Sequence, residues 1–185
     1  MHSLIKYENK SASELLKVLE LFSVPVDLDS LCEQLSVNKS TENRFFDNHS
    51  GEIGVEGNAV NIWINPLDYS TRQRFTLAHE IGHLMHDIIP CIKSHNGDCS
   101  FSDSIDNLRR DGRQDPKEYR ANDFAAKLLM PEELIMQHGK SLIRKMKDES
   151  GTEKVSGDKF IVRMAEEFQV SEQSMKIRLN VMGVL

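Results

Sequence analysis

Apolar residues recur every three or four positions over residues 11–22 and again over residues 28–35, which predicts two amphipathic helices near the start of the chain. Asp27 directly precedes the second stretch and can cap it. Between residues 53 and 64 the pattern changes to alternating apolar and polar side chains around the pair Gly57-Asn58, which predicts a β-hairpin. We therefore expect an N-terminal helical pair followed by a small antiparallel sheet.

Two longer apolar stripes follow this sheet. Residues 72–87 contain no proline and predict a helix that Asp68 or Ser70 caps, with Ser70 and Gln73 able to form a capping box. Residues 118–131 carry the second stripe, with small side chains where another helix could approach. The expected fold class is α+β, mostly helical, with the small sheet placed before the first long helix.

The last part of the chain is also helical in pattern. Residues 146–158 predict a polar, glycine-containing linker, and residues 159–185 predict a helical pair whose turn at Gln169-Val170 is like that of a helix-turn-helix. We expect residues 1–145 to form the main domain and the C-terminal pair to pack on or near it.

The first long helix carries the most specific chemistry, because it contains His79-Glu80 followed three positions later by His83. Side chains four apart on a helix lie one above the other, so His79 and His83 can direct imidazole nitrogens at one metal ion. Zinc in hydrolytic sites takes three protein ligands and a water whose pKa falls toward neutrality. We predict a Zn2+ site in which Glu80 takes the proton of that water and passes it to a leaving amine.

A third ligand has to come from outside this motif. His86 is excluded, because helical rise places it about 10 Å along the axis from His79; we expect it beside the ligands, in the substrate pocket or exposed. Glu118 can project a carboxylate to the metal, although a glutamate in a first helical turn is ordinarily a partner of the helix dipole. Asn122, one turn later, is placed to orient a ligand, and Gly82 indicates that another element approaches the helix closely.

Residues 72–83 together with residues 118–131 resemble, in the right order, the two motifs of the ImmA/IrrE family of metallopeptidases. The resemblance implies a zincin-like domain with three zinc ligands and one catalytic acid/base. The positions that match these roles are His79, His83 and Glu118 as ligands and Glu80 as acid/base. Family members cleave or otherwise relieve helix-turn-helix transcriptional repressors of mobile elements or stress regulons, so the resemblance implies a protein substrate of that kind.

Composition restricts the partners. The chain has 185 residues and a formal net charge of −6, and residues 154–185 carry five basic against four acidic side chains, which disfavours a nucleic-acid surface. The cysteines, Cys32, Cys91 and Cys99, are sparse and odd in number, and no apolar run is long enough for a membrane span or a signal peptide. We expect a cytoplasmic protein.

Two segments are candidates for substrate handling. The strand at residues 60–65 could be a sheet edge that pairs with an extended substrate; alternatively, it is an ordinary strand whose Trp63 covers the core. Residues 91–117 are polar and predict a mobile flap beside the cleft. Cys91, His95 and Cys99 in this segment could form a redox or second metal element, but they lack the spacing of a dependable site.

The function expected from these residues is a zinc-dependent endopeptidase that inactivates a helix-turn-helix repressor. The alternative is a module that sequesters such a regulator without cutting it. The group that stabilises the oxyanion is left open among His86, Tyr119, Arg120 and His138. Tyr119 and Trp63 are also candidates for binding substrate or supporting the ligands.

Overall fold

The computed structural model of the protein describes residues 2–43, 49–57, 59–94, 102–104 and 115–185. Its first elements are a short 3-10 helix, His2–Tyr7, and the predicted helical pair, α1 (Ala12–Val18) and α2 (Leu28–Gln34). The Asp27 side chain accepts hydrogen bonds from the first turn of α2, as predicted. Helix α1 ends earlier than its apolar pattern suggested, and Glu20 just after it takes a positive φ of 58° that a helix cannot contain.

The sheet contains the predicted hairpin but is mixed rather than antiparallel. Strands β2 (Gly51–Glu56) and β3 (Ala59–Ile64) pair antiparallel, β1 (Val37–Ser40) pairs parallel with β3, and β4 (Ser102–Ser104) pairs antiparallel with β2. The order is β1-β3-β2-β4. The parallel neighbour escaped prediction because β1 buries only Val37 fully and so shows no alternation.

The proposed substrate-pairing edge at residues 60–65 is therefore wrong. Strand β3 lies between β1 and β2, so its backbone groups are hydrogen-bonded on both sides and none remains for a substrate strand. Trp63 is buried, and its indole N–H donates to the carbonyl of Glu42 at 2.8 Å. The strand is therefore an internal one, as the alternative held, and a role of Trp63 at the site stays a prediction.

The first long helix, α3 (Ser70–His83), continues through a π-helical turn, Leu84–Ile88, into α4 (Ile89–Ser94). The predicted caps are wrong, because the N-cap residue is Tyr69 and no side chain caps it. Gln73 instead donates its amide hydrogens to the carbonyls of Pro66 and Asp68, at 3.2 and 2.7 Å, which fixes the loop before the helix.

Helix α5 (Pro116–Leu129) packs against α3 through the predicted small residues. Asp115 caps it and Pro116 occupies its first turn. A Cβ atom on Gly82 would lie 2.9 Å from both the Cα atom and the carbonyl oxygen of Ala121, so only glycine allows this approach. The backbones of α3 and α5 therefore meet at the level of the metal-binding motif.

The remaining helices are α6 (Glu132–Ser150), α7 (Gly157–Phe168) and α8 (Glu172–Val181). The predicted linker began too early, since residues 146–150 complete α6, which ends where Gly151 takes a φ of 63°. The predicted C-terminal pair is present, with Gln169 in the left-handed conformation at its turn. Its buried residues belong to the same hydrophobic core as those of α1, α3 and α5, and the division into domains stays a prediction.

Two further predictions concern the segment between α4 and α5. Most of the expected flap, including His95 and Cys99, lies outside the described residues, so the flap and the cysteine cluster stay predictions.

No helix within the described ranges combines the length and the apolar character needed to cross a membrane.

Candidate metal centre

Two helices bring together the side chains predicted as metal ligands. Helix α3 supplies His79 and His83, and α5 supplies Glu118. The two Nε2 atoms are 3.0 Å apart, and the Glu118 carboxylate lies 3.2 Å from Nε2 of His79 and 3.1 Å from Nε2 of His83. Within the described ranges, this is the group of histidine, cysteine and acidic side chains that could hold a metal ion.

The hydrogen-bond partners of the two Nδ1 atoms show which ring nitrogens face the centre of the group. Nδ1 of His79 lies 3.0 Å from Oδ1 of Asn122, and Nδ1 of His83 lies 2.9 Å from Oδ2 of Asp87. Because both partner atoms are oxygen acceptors, each Nδ1 donates a hydrogen, and in the neutral form of each ring Nε2 presents a lone pair. Two inward-facing nitrogens and a carboxylate therefore converge in one place.

In the neutral form of the rings, these acceptor atoms repel one another unless a proton or a metal ion lies between them. Ligand atoms bound tetrahedrally to zinc at about 2.0–2.1 Å stand roughly 3.3 Å apart, close to the separations observed here. The donor set, two imidazole nitrogens and one carboxylate with room for a fourth ligand, is also that of catalytic zinc. The residues present fit a bound divalent cation.

The electrostatics of the site favour positive charge at its centre. Burial disfavours a charged His83, but hydrogen bonds to Asp87 and Glu118 outweigh burial and raise the pKa of His83 to about 10. Hydrogen bonds with His79 and His83 lower the pKa of Glu118 to about 2, against the effect of its burial. A proton or a metal ion at the imidazole nitrogens is stabilised by the same carboxylates.

Glu80, the predicted acid/base, is placed on the same helix turn as the first histidine. It is 1% exposed, compared with 6% for His79, 1% for His83 and 8% for Glu118. Its negative charge is close enough to contribute to the raised pKa of His83. A buried carboxylate beside the metal-binding group has the position that a general base requires, and its role stays a prediction.

The other predicted site residues are distributed around this centre. Asn122 contacts His79 through the hydrogen bond described above, and its role in orienting that ring stays a prediction. His86 is exposed, packs its ring edge-on against Phe124 at 5.4 Å, and is not in the metal-binding group, which agrees with its exclusion as a ligand. Tyr119 is 64% exposed, and its role in substrate binding stays a prediction.

The candidates for oxyanion stabilisation are not gathered at one place. Arg120 reaches Asp87, with its Nη2 atom 3.5 Å from the carboxylate. His138 lies 3.2 Å from Glu167 and packs its ring against Phe168, so it belongs to the contact between α6 and α7. The assignment among these residues stays open.

A cleft of about 420 Å³ leads from the metal-binding group to the C-terminal helical pair. Its lining includes His79, Glu118 and Asn122 and, at the start of α8, the N-cap residue Ser171 and Ser174. The other lining residues lie just before β2 and in the first two turns of α3, namely Ser50, Thr71, Arg72, Phe75 and Thr76. The contribution of α8 to this cleft could not be expected from a pattern that indicates only helix packing.

Sequence reasoning missed Asp87, which contacts both a predicted ligand and a predicted oxyanion candidate. The signal was present, since residues 79, 83 and 87 follow one another at intervals of four and so share a helix face.

An α+β fold in which one helix supplies two histidines and a packed neighbour supplies a glutamate is that of a zincin-like protein. The IrrE N-terminal-like domain of the peptidase M78 family matches residues 33–180, and the chain belongs to this family. Among curated proteins, none matches the chain. The resemblance to ImmA/IrrE metallopeptidases is thereby confirmed.

Proposed function

We propose that the protein is a zinc-dependent endopeptidase that cleaves a helix-turn-helix transcriptional repressor in the cytoplasm. His79, His83 and Glu118 hold the zinc ion, and Glu80 is the catalytic acid/base. The observation that carries the proposal is the convergence of two imidazole lone pairs and one carboxylate within 3.0–3.2 Å of one another. Membership of a peptidase family supports a protein substrate.

Zinc bound at this group supplies Lewis acidity and lowers the pKa of a coordinated water. The residues of the chain orient the ligands and transfer the proton. Asn122 keeps the ring of His79 in one tautomer, and Glu80 holds a proton between its release from water and its delivery to the leaving amine. Burial of the group excludes competing water and strengthens these electrostatic interactions.

The substrate segment is expected to lie in the cleft rather than along the sheet. Strand β3 has no free edge, whereas the cleft opens at His79 and Glu118 and extends between α3 and the first turn of α8. A volume of about 420 Å³ accommodates a few residues of an extended chain. The repressor would therefore present an exposed loop or a locally unfolded segment.

Helix α8 is a poor candidate for reading DNA. Of its two basic side chains, Arg178 is buried and donates to the carbonyl of Met130 at 3.1 Å, which leaves Lys176 and the nearby acidic Glu172 at the surface. One exposed cation offset by one carboxylate supplies little phosphate affinity. A protein partner is favoured over nucleic acid.

The Glu80→Gln variant tests the proposed chemistry. We expect it to retain zinc and to lose about 10²–10⁴-fold in the rate of cleavage, because the amide cannot take up a proton. Cleavage is measured with a candidate helix-turn-helix repressor and with a pool of quenched decapeptides, and Glu133→Gln on the surface of α6 is the matched control. Cleavage by Glu80→Gln at the wild-type rate, or a purified protein without stoichiometric zinc, contradicts the proposal.

The alternative, sequestration without cleavage, is favoured by one observation, the near-complete burial of all four residues of the centre. Co-incubation with the repressor separates the two functions. Fragments that disappear with Glu80→Gln support the peptidase, and a stable complex with intact repressor supports sequestration.

A further inference from the structure

Asp87 lies directly behind one of the proposed zinc ligands. Its Oδ2 atom accepts the hydrogen of Nδ1 of His83 at 2.9 Å, and its side chain is 6% exposed. Asp87 contacts Nδ1, whereas Nε2 of the same ring faces Glu118 and His79, so the carboxylate lies on the side of the ring away from the proposed metal position. Asp87 is thus a neighbour of the ligand and not a fourth ligand.

The two histidines are supported by chemically different groups. His79 donates to the neutral amide oxygen of Asn122, whereas His83 donates to a carboxylate. A charged acceptor forms a shorter and stronger hydrogen bond and increases electron density on the ring. Nε2 of His83 is therefore the stronger of the two imidazole donors.

The π-helical turn, Leu84–Ile88, carries Asp87 and holds it in place. Leu84, Met85 and Ile88 in this turn are buried in the core, which leaves the Asp87 side chain directed back at α3. Its second oxygen, Oδ1, lies 3.5 Å from Nη2 of Arg120 on α5. A buried carboxylate is tolerated only when it is paired, and here both pairs lead to the two helices that form the centre.

We propose that Asp87 is a positioning residue that fixes the tautomer and orientation of His83 and thereby raises the affinity of the centre for zinc. This inference rests on the metal site of the proposed function. It predicts that the carboxylate acts through its contact with His83 and that zinc binding is sensitive to its charge as well as to its shape.

The test measures zinc affinity directly, by competition with a chromophoric chelator at fixed pH. Asp87→Ala removes the acceptor and is expected to weaken zinc binding about 10–100-fold, the usual effect of losing such a partner. Asp87→Asn keeps an acceptor oxygen without the charge and is expected to fall between Asp87→Ala and wild type. Asp123→Ala is the control, because Asp123 pairs with Lys127 on the surface of α5 and is expected to leave affinity unchanged within about twofold.

Cobalt replaces zinc for a spectroscopic measurement that a loss of general stability does not change. We expect the visible absorption bands of bound Co2+ to shift in Asp87→Ala, because the ligand ring is no longer held in one orientation, and to remain unshifted in Asp123→Ala. If Asp87→Ala fails to fold by circular dichroism, the nearly isosteric Asp87→Asn decides the question.

The outcomes separate the two proposals. Asp87 variants that bind zinc as tightly as wild type, with an unchanged cobalt spectrum, overturn the role of Asp87 and leave the peptidase proposal intact. Weakened binding in a protein that cleaves nothing supports Asp87 and counts against the peptidase. A wild-type chain that binds no zinc overturns both.

Discussion

Two helix pairs in this molecule bury side chains of different chemistry. The pair α3 and α5 meets at Gly82 and Ala121 and encloses two histidines and two glutamates. The pair α7 and α8 encloses apolar residues, namely Phe160, Met164, Phe168, Met175 and Leu179. The first pair buries polar and ionisable side chains that helix packing by itself does not require.

The difference is informative because burial of charge is unfavourable unless a partner compensates it. In the C-terminal pair the one buried charged side chain, Arg178, donates to a main-chain carbonyl and connects α8 to the end of α5. In the first pair, two imidazole nitrogens and a carboxylate converge within 3.0–3.2 Å of one another. That group could hold a metal ion, so the first pair is the candidate site, whereas the second pair contributes Ser171 and Ser174 to the lining of the cleft.

Among the tests of this comparison, removal of a proposed ligand is expected to have the largest effect, a loss of zinc affinity. Glu118→Gln takes away the charged member of the group, and we expect zinc affinity to fall by more than the roughly 100-fold typical of a lost supporting residue. Metal content by elemental analysis and chelator competition measure it. The same exchange at Glu166 on α7 serves as the control, and equal zinc loss in both variants would contradict the assignment.

Gly82→Ala tests the close approach of the two helices. A methyl group 2.9 Å from the Ala121 backbone has to push α5 away from α3, which we expect to destabilise the fold by about 1–3 kcal/mol and to weaken zinc binding. Urea unfolding and chelator competition are the measurements. Gly157→Ala in α7 is the matched control, since no atom lies within 4 Å of its added methyl, and its effect should stay within about 1 kcal/mol.

Arg178→Met tests the scaffold without touching the centre. Loss of the hydrogen bond to the Met130 carbonyl leaves a buried acceptor unpaired, which we expect to reduce the free energy of unfolding by about 1–3 kcal/mol. Zinc affinity of the folded protein should be unchanged. A parallel loss of zinc affinity would show that the two pairs are coupled more closely than their contacts indicate.

The smallest effect is expected from Cys32, which lies in neither pair. Burial raises the pKa of this thiol from about 9 to about 11. The unfolded chain therefore ionises first, so that stability is unaffected below about pH 9 and is lost as the pH rises toward 11, by about 1 kcal/mol at pH 10. Urea unfolding at pH 8 and pH 10 measures it, and Cys32→Ala should remove this part of the pH dependence.

Local elements were predictable from the sequence because their signals are local. The hairpin turn, the caps at Asp27 and the turn at Gln169 depend on residues a few positions apart, and the predicted and observed elements agree there. The spacing of His79, Glu80 and His83 likewise specifies one helix face. Glu118 could be nominated because its helix has a recognisable stripe and resembles a family motif.

Other features depend on contacts between distant segments. No pattern within β1 indicates that it would pair with β3 and close the edge expected to bind substrate. Helix α3 has no side-chain cap. Gln73 instead donates to the carbonyls of Pro66 and Asp68, because the path of the preceding loop brings these carbonyls within its reach.

The sequence by itself determined the chemistry proposed for the centre, because two proposed ligands and the proposed acid/base lie within one helix turn. The tertiary structure decided which residues line the cleft and which groups contact the proposed ligands. It placed Asp87 behind His83 and brought Ser171 and Ser174 of α8 to the cleft. These juxtapositions follow from helix packing across long sequence separations, which short-range periodicity does not encode.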